Sequence, residues 1–217
     1  MDELLVKFPT VDVVPLDPGG YGGTYKLLGG QVSLDLVNTV SWPGTEREHD
    51  WFDPPANITL WALAAGLVDA RVRRRLDRQM RADPGRFARH ASAVARIRRT
   101  LRSAIAPRAR GERPSEGAVR ELNQLLAEAC RRRQVDPKTV EWTWLAPSTI
   151  EEAMAPAIHN AGEVLTRVDP GRLRYCPSCD WLFEDTTRNA SRRWCDMADC
   201  GSRDKARRYY HRHKPTR

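Results

Sequence analysis

The sequence predicts an α+β protein. A mostly helical N-terminal domain with a small antiparallel β-sheet leads into a small C-terminal unit made of a knuckle, a short hairpin and a basic helix. Three observations carry this prediction. Phe87, Ala91, Val94, Ile97, Leu101 and Ile105 recur on one side of a 3.6-residue period, as an amphipathic helix requires. Val32-Ser33-Leu34-Asp35-Leu36 and Thr139–Leu145 alternate in polarity and are rich in β-branched and aromatic residues, as half-buried strands are. Finally, Cys176-Pro177-Ser178-Cys179 is followed after fifteen residues by Cys195 and then Cys200. Two cysteine pairs at that separation have the spacing of a four-thiolate zinc site.

Taken in order, residues 1–23 hold Pro9, Pro15, Pro18 and Gly19-Gly20-Tyr21-Gly22-Gly23 and read as an irregular arm. Residues 24–171 form the larger domain. It opens on Tyr25–Leu28, Gly29-Gly30 and Gln31–Val40, a hairpin signal, although Leu36-Val37-Asn38 can equally open a helix. Asn57 is placed to cap a helix with a Leu60, Leu63, Ala64 stripe that stops at Gly66. Ala70–Met80 reads as an Arg-rich helix. Asp83-Pro84 is an N-cap with proline at N1 for the helix running to about Ile105. Arg98 falls inside the apolar arc of that helix and needs a partner. Ser115 caps a helix with Val119, Leu122, Leu126 and Ala129 facing in, and Cys130 at its end reads as a small core hydrophobe. Thr139–Leu145 is expected to join the first hairpin. A last helix carries Ile150, Met154, Ala157, Ile158, Ala161, Leu165 and Val168, before Asp169-Pro170-Gly171 breaks the chain.

Residues 172–217 form the cysteine unit. Its shortness implies that it needs the metal to fold, as a satellite of the larger domain. Five cysteines, four of them clustered, fit a reducing compartment better than a disulfide framework. With no basic, apolar start and no run of about 20 apolar residues, the expected location is cytoplasmic. Four thiolates leave no coordination position for water, so the zinc (Zn2+) is expected to be structural rather than catalytic. Trp181, Leu182 and Phe183 supply what apolar packing the unit has, and Gly201 a tight turn into the basic helix.

The formal charge of +8 is unevenly spread. Residues 71–110 hold 14 Arg against 2 Asp, and residues 172–217 hold 12 Lys/Arg against 6 Asp/Glu. A basic surface of this kind suits a polyanion. For the long helix an ordinary solvated arginine face competes with a second nucleic-acid contact surface.

The run Cys176-x-x-Cys179-x-Trp181-Leu182-Phe183-x-Asp185-Thr186-Thr187-Arg188-Asn189-x-Ser191-Arg192-Arg193-Trp194-Cys195-x-Met197-x-x-Cys200-Gly201-x-Arg203-x-Lys205-Ala206-Arg207-Arg208 closely resembles the CGNR-type zinc finger. Leu34–Thr39 and Leu60-Trp61…Gly66-Leu67 resemble the ABATE domain that usually precedes it. The resemblance covers most of the chain and implies a bacterial stress-induced transcription regulator that binds DNA. Here Cys200-Gly201-Ser202-Arg203 departs from the family tetrad, with serine in place of asparagine. Serine loses an amide that could read a base but serves nearly as well as a helix cap, the role favoured here. The expected DNA contacts are Arg188, Arg192, Arg193, Arg203, Lys205, Arg207 and Arg208, against the alternative of a merely solvated basic tail. His211 and His213 are bystanders to a site already filled by sulfur.

Two other functions compete. In one, the N-terminal domain binds a small molecule or is an enzyme. The polar candidates are Asp35, Asn38, His49-Asp50 and His159-Asn160, and Asn38, Trp42, Trp51 and Trp61 could line a pocket. None of these residues sits in a nucleophile or phosphate-loop motif, and no catalytic residue is expected. In the other, the zinc unit docks on an acidic protein partner. The expected partners are DNA, a second copy of the chain in a homodimer, and an unidentified small-molecule effector, without a membrane.

Overall fold

The computed structural model describes residues 13–213; residues 1–12 of the predicted arm, and the last four residues, lie outside the described part. Seven helices and six short strands follow one another in it. They are α1 (Val32–Val37), β1 (Val40–Ser41), β2 (His49–Asp50), α2 (Ala56–Ala64), α3 (Ala70–Ala82), α4 (Pro84–Ala109), α5 (Glu116–Cys130), β3 (Arg133–Val135), β4 (Trp142–Trp144), α6 (Ala155–Arg167), β5 (Leu173–Tyr175), β6 (Leu182–Glu184) and α7 (Ser202–His213). The strands form three separate two-stranded antiparallel sheets, β1–β2, β3–β4 and β5–β6, so the α+β class holds with helices dominating.

Helix α4 is the axis of the molecule, touching α1, α3, α5, α6 and β5. Phe87, Val94, Ile97, Leu101 and Ile105 are buried along it, and Asp83 caps it by accepting from the Arg86 N–H. Arg98 finds its partner. It grips the Asp50 carboxylate with two hydrogen bonds of 2.6 Å, donates to Thr39 Oγ1 at 2.9 Å and lies over the Phe52 ring. Arg98, itself buried, thereby fastens α4 to the partly exposed carboxylate of β2.

Four local expectations are corrected. Val32–Val37 is a helix, not the second strand of a Gly-Gly hairpin. All six of its residues are buried, Ser33 and Asp35 included, so their alternation marks no solvent face. Gly29 and Gly30 turn the chain into it, and the Asp35 carboxylate accepts the Gly29 N–H at 2.8 Å. Asn57 does not cap α2. Its amide instead donates to the Trp51 and Asp17 carbonyls, which would otherwise be unpaired, and Ile58, Trp61 and Ala62 take the core positions ahead of Leu60, Leu63 and Ala64. Strand β4 pairs with β3, in the register Arg133↔Trp144, and not with a strand near residue 40. Cys130 is exposed, because α5 ends there and Leu122 and Ala129 fill the buried positions.

The cysteine unit has no core of its own. Leu173, Trp181, Leu182, Phe183 and the four cysteines belong to the same buried cluster as α1, α2 and α4. The expected satellite is therefore seated in the helical domain, which supplies the apolar surroundings that about forty residues cannot provide for themselves.

Candidate metal centre

The hairpin β5–β6 carries the first cysteine pair. Cys176-Pro177-Ser178-Cys179 turns back on itself through Asp180, whose φ of 65° is left-handed, a conformation that aspartate tolerates better than most residues. The turn is closed by Asp180 N–H to the Cys176 carbonyl at 3.0 Å and Cys176 N–H to the Trp181 carbonyl at 2.8 Å. Residues 185–194 loop out and back. Asp185 organises this loop by accepting from Thr187 N–H, Thr187 Oγ1 and Arg192 N–H. Asp196 accepts from Ala198 N–H at 2.8 Å and starts the π-helical turn Met197–Gly201, which delivers Cys200.

These turns bring Cys176, Cys179, Cys195 and Cys200 together, all buried, with their sulfurs within 4.8 Å of one another. The Cys179–Cys195 and Cys195–Cys200 sulfur distances are 3.4 and 3.6 Å. A tetrahedral zinc with bonds of about 2.3 Å has sulfur–sulfur edges of about 3.8 Å, so the set fits the ion. The thiols also need a cation. Hydrogen bonds from Cys179, Cys195 and Cys200 pull Cys176 below the ordinary thiol range, while those with Cys176 push Cys179 and Cys195 above it. Only a bound cation lets all four ionise together.

Arg203, the arginine of the tetrad, sits against this cluster. It donates to Cys200 Sγ at 3.2 Å, lies 3.4 Å from the Asp199 carboxylate and is 6.0 Å from the Trp42 ring centroid. Burial opposes its charge, but bonds to the Tyr21 hydroxyl and the Cys200 sulfur hold its pKa above the ordinary arginine value. Its placement offsets the net negative charge of zinc with four thiolates. Ser202 does not cap α7 by accepting an N–H; its hydroxyl donates back to the Met197 carbonyl at 3.3 Å. An asparagine amide could make the same donation, so the family difference leaves the turn intact. Gly201 is not left-handed, so the expected tight turn does not require it, and the Met197 Sδ that a β-carbon would meet at 2.6 Å belongs to an exposed side chain free to move aside.

The residues expected to reach DNA separate into four groups. Arg192 is committed to the fold. It donates to the Leu28 and Trp194 carbonyls at 3.0 and 3.1 Å and to the Cys195 carbonyl, and lies over Phe183. Arg203 serves the metal site, while Arg207 and Arg208 both pair with Asp204, at 2.9 and 3.1 Å. Arg188, Arg193 and Lys205 are exposed and form no ion pair among the described residues. His213 stacks on Tyr209, away from the cysteines.

Of the expected pocket residues, Asn38 and Trp61 are interior, while Trp42 borders a small cleft beside the cysteines. Asn38 is fully buried and pairs with Leu182 like a neighbouring strand, its amide donating to the carbonyl and its oxygen accepting the N–H, both at 2.8 Å. Trp42 has a left-handed φ of 49° and grips the knuckle twice, N–H to the Cys179 carbonyl at 3.1 Å and Nε1–H to the Ser178 carbonyl at 2.7 Å. Ser41 Oγ accepts from Trp181 Nε1 at 2.9 Å, and Trp61 is interior, bonded to the Tyr25 hydroxyl. The cleft between Tyr21, Lys26, Trp42, Trp51, Arg203 and the cysteines encloses about 20 Å³, room for one water-sized group. Asn38, Ser41 and Trp42 thus hold the metal unit in place. No local signal could reveal this, because their partners lie more than 130 residues away.

Two family models match the chain. The CGNR zinc finger matches residues 172–213, and the ABATE family, described as "Putative stress-induced transcription regulator", matches residues 30–168. Comparison with curated proteins gives no match. No described helix is long and apolar enough to cross a membrane. The four buried cysteines therefore hold a structural zinc, and the chain, matched over well more than half its length, belongs to the ABATE family and ends in a CGNR zinc finger.

Proposed function

We propose that the protein is a zinc-dependent, DNA-binding transcription regulator of the cytoplasm, without a catalytic step of its own. One observation carries this reading: a closed four-sulfur centre is followed directly by α7, an exposed helix with more cations than the metal needs. Lys205, Arg207, Arg208 and Arg212 share α7 with the exposed Tyr209 and Tyr210, and Arg188 and Arg193 stand on the loop before it. Cations of this kind bind phosphates, and exposed aromatics beside them can rest on sugars or bases. The finger fold supports this surface rather than reacting itself.

Selection from a random duplex pool with the zinc-loaded protein tests the reading. Enrichment of a common sequence, lost in Cys195→Ser, is expected; a pool that stays random after repeated rounds contradicts sequence-specific regulation. The same reading gives the helical domain a small-molecule effector and a second copy of the chain as partners. Native mass spectrometry of zinc-loaded protein purified from cells tests both. It should give a dimer mass with a bound adduct, and a bare monomer at micromolar concentration counts against them.

A further inference from the structure

Among the described residues, cations that lack acidic partners are densest outside the zinc finger, on α3 and α4. Between residues 71 and 110 there are 14 arginines, 2 aspartates and no lysine. Both aspartates are committed: Asp77 to Arg73 and Thr59, and Asp83 to the N-terminus of α4. Arg98 is buried on Asp50, and Arg75 and Arg102 donate to the Pro147 and Asp180 carbonyls. Arg71, Arg74, Arg78 and Arg81 on α3, with Arg86, Arg89, Arg96 and Arg99 on α4, remain exposed. Among the described residues none of these eight forms an ion pair or a side-chain hydrogen bond. On α7, by contrast, Arg203, Arg207 and Arg208 all face aspartates.

We infer that this outer face of α3 and α4 is a second contact surface for the phosphate backbone of duplex DNA; the inference rests on the DNA-binding reading above. At 100° per residue the four α3 arginines fall within a stripe about 80° wide, and the four on α4 within about 140°. At 1.5 Å per residue the stripes are about 15 and 20 Å long, enough to follow several phosphates. The α4 stripe continues past Ser103 to Arg110, whose guanidinium lies 5.6 Å from the Tyr175 ring of β5, so it leads to the zinc knuckle.

Like charges three and four residues apart, such as Arg71–Arg74–Arg78 and Arg96–Arg99, weaken a helix. A merely soluble face would interleave glutamates. Exclusive use of arginine also matches the planar, two-pronged recognition of phosphate. Among the described residues the exposed large hydrophobic ones lie elsewhere: Val13, Val135, Val140, Trp142, Leu145, Met197, Tyr209 and Tyr210. The stripe therefore offers no ring on which unpaired bases stack and no apolar flank to enter a membrane. Duplex backbone is the polyanion that needs neither.

The test is a salt titration of binding to a labelled random-sequence duplex. It uses the zinc-loaded full chain, Arg89→Gln/Arg96→Gln/Arg99→Gln, Arg74→Gln/Arg78→Gln/Arg81→Gln and Arg207→Gln/Arg208→Gln. Glutamine keeps helix propensity, and circular dichroism and zinc content verify each fold. Each triple variant should lower the slope of log affinity against log salt by roughly two to three, and the affinity on the order of 10–100-fold. Unchanged slopes in both triple variants, beside a clear loss in the α7 variant, overturn the inference and leave DNA binding standing. A wild-type chain that binds no duplex overturns both. Equal or tighter binding to poly-glutamate, lost in the same variants, would mark the face as a protein-docking surface and also overturn the inference.

Discussion

Asn38, Asp35 and Arg203 show at the scale of single residues how the two halves of the chain depend on each other. Asn38 satisfies both backbone groups of Leu182 in the interior. Replacing it with alanine strands a buried donor and acceptor, at a cost of roughly 2–4 kcal/mol. Thermal unfolding of the zinc-loaded variant should show the loss, and chelator competition should show looser zinc. An unchanged melting temperature would mean that the junction is not under load. Asp35 is a buried carboxyl. Burial raises its pKa from the usual 3.8 to about 7, against the lowering effects of the Gly29 and Leu28 N–H groups and the Arg192 charge. The folded state thus holds its proton more tightly than the unfolded chain, so stability falls as pH rises from about 4 to about 7. Asp35→Asn should remove this fall and be more stable than wild type at pH 8, by roughly 2–4 kcal/mol at full ionisation. Unfolding between pH 6 and 8, where zinc stays bound, measures the difference; parallel curves for the two proteins would contradict it. Arg203→Gln removes a cation from the Cys200 sulfur and should weaken zinc binding by about 10–100-fold in a chelator titration with the fold retained.

Whether an element was legible in the sequence depended on whether it has a solvent face. Helices α4 and α5 end in water, so their caps at Asp83 and Ser115 and their apolar periods can be read locally, while α3 is legible from its arginines and its Asp69 cap emerges in the fold. The cysteine spacing is a local property too, and the metal centre follows from it. Helix α1 is buried on every side, and its period conveys nothing; the same residues read as a strand. Asn57 looks like a cap until the carbonyls of Asp17 and Trp51 claim it. Among the residues expected to reach DNA, type and charge were visible, and Asp204 stands at the helical spacing that pairs with Arg207 and Arg208, a local signal; the carbonyls that occupy Arg192, Leu28 O above all, were not. The packing of α1 on β6 gives an element-scale prediction. Stripping zinc should speed amide exchange at Leu182 and Trp42, whose N–H groups bond to Asn38 Oδ1 and the Cys179 carbonyl, and along α1. The α5–α6 pair should keep its protection. Uniform protection with and without zinc would show that the metal does not support the junction.

At the scale of the molecule, helices and finger share one core, with the zinc as an internal fastening between α1, the knuckle and the start of α7. A signal that loosens the helical domain can reach the finger through Asn38, Ser41 and Trp42 without any long-range device, and loss of zinc can reach the helices by the same route. Cations extend along the outside of this unit, on α7 and on the α3–α4 face. The central claim is that zinc organises a DNA-binding surface, and equilibrium binding to a labelled duplex at about 50 and 200 mM salt, with and without bound zinc, tests it most directly. The zinc-loaded chain should bind at low salt and lose on the order of a thousandfold or more in affinity at high salt, as several released counterions require. The zinc-free chain should bind far more weakly at both. Equal affinity with and without zinc, or no binding at the lower salt, would contradict the account.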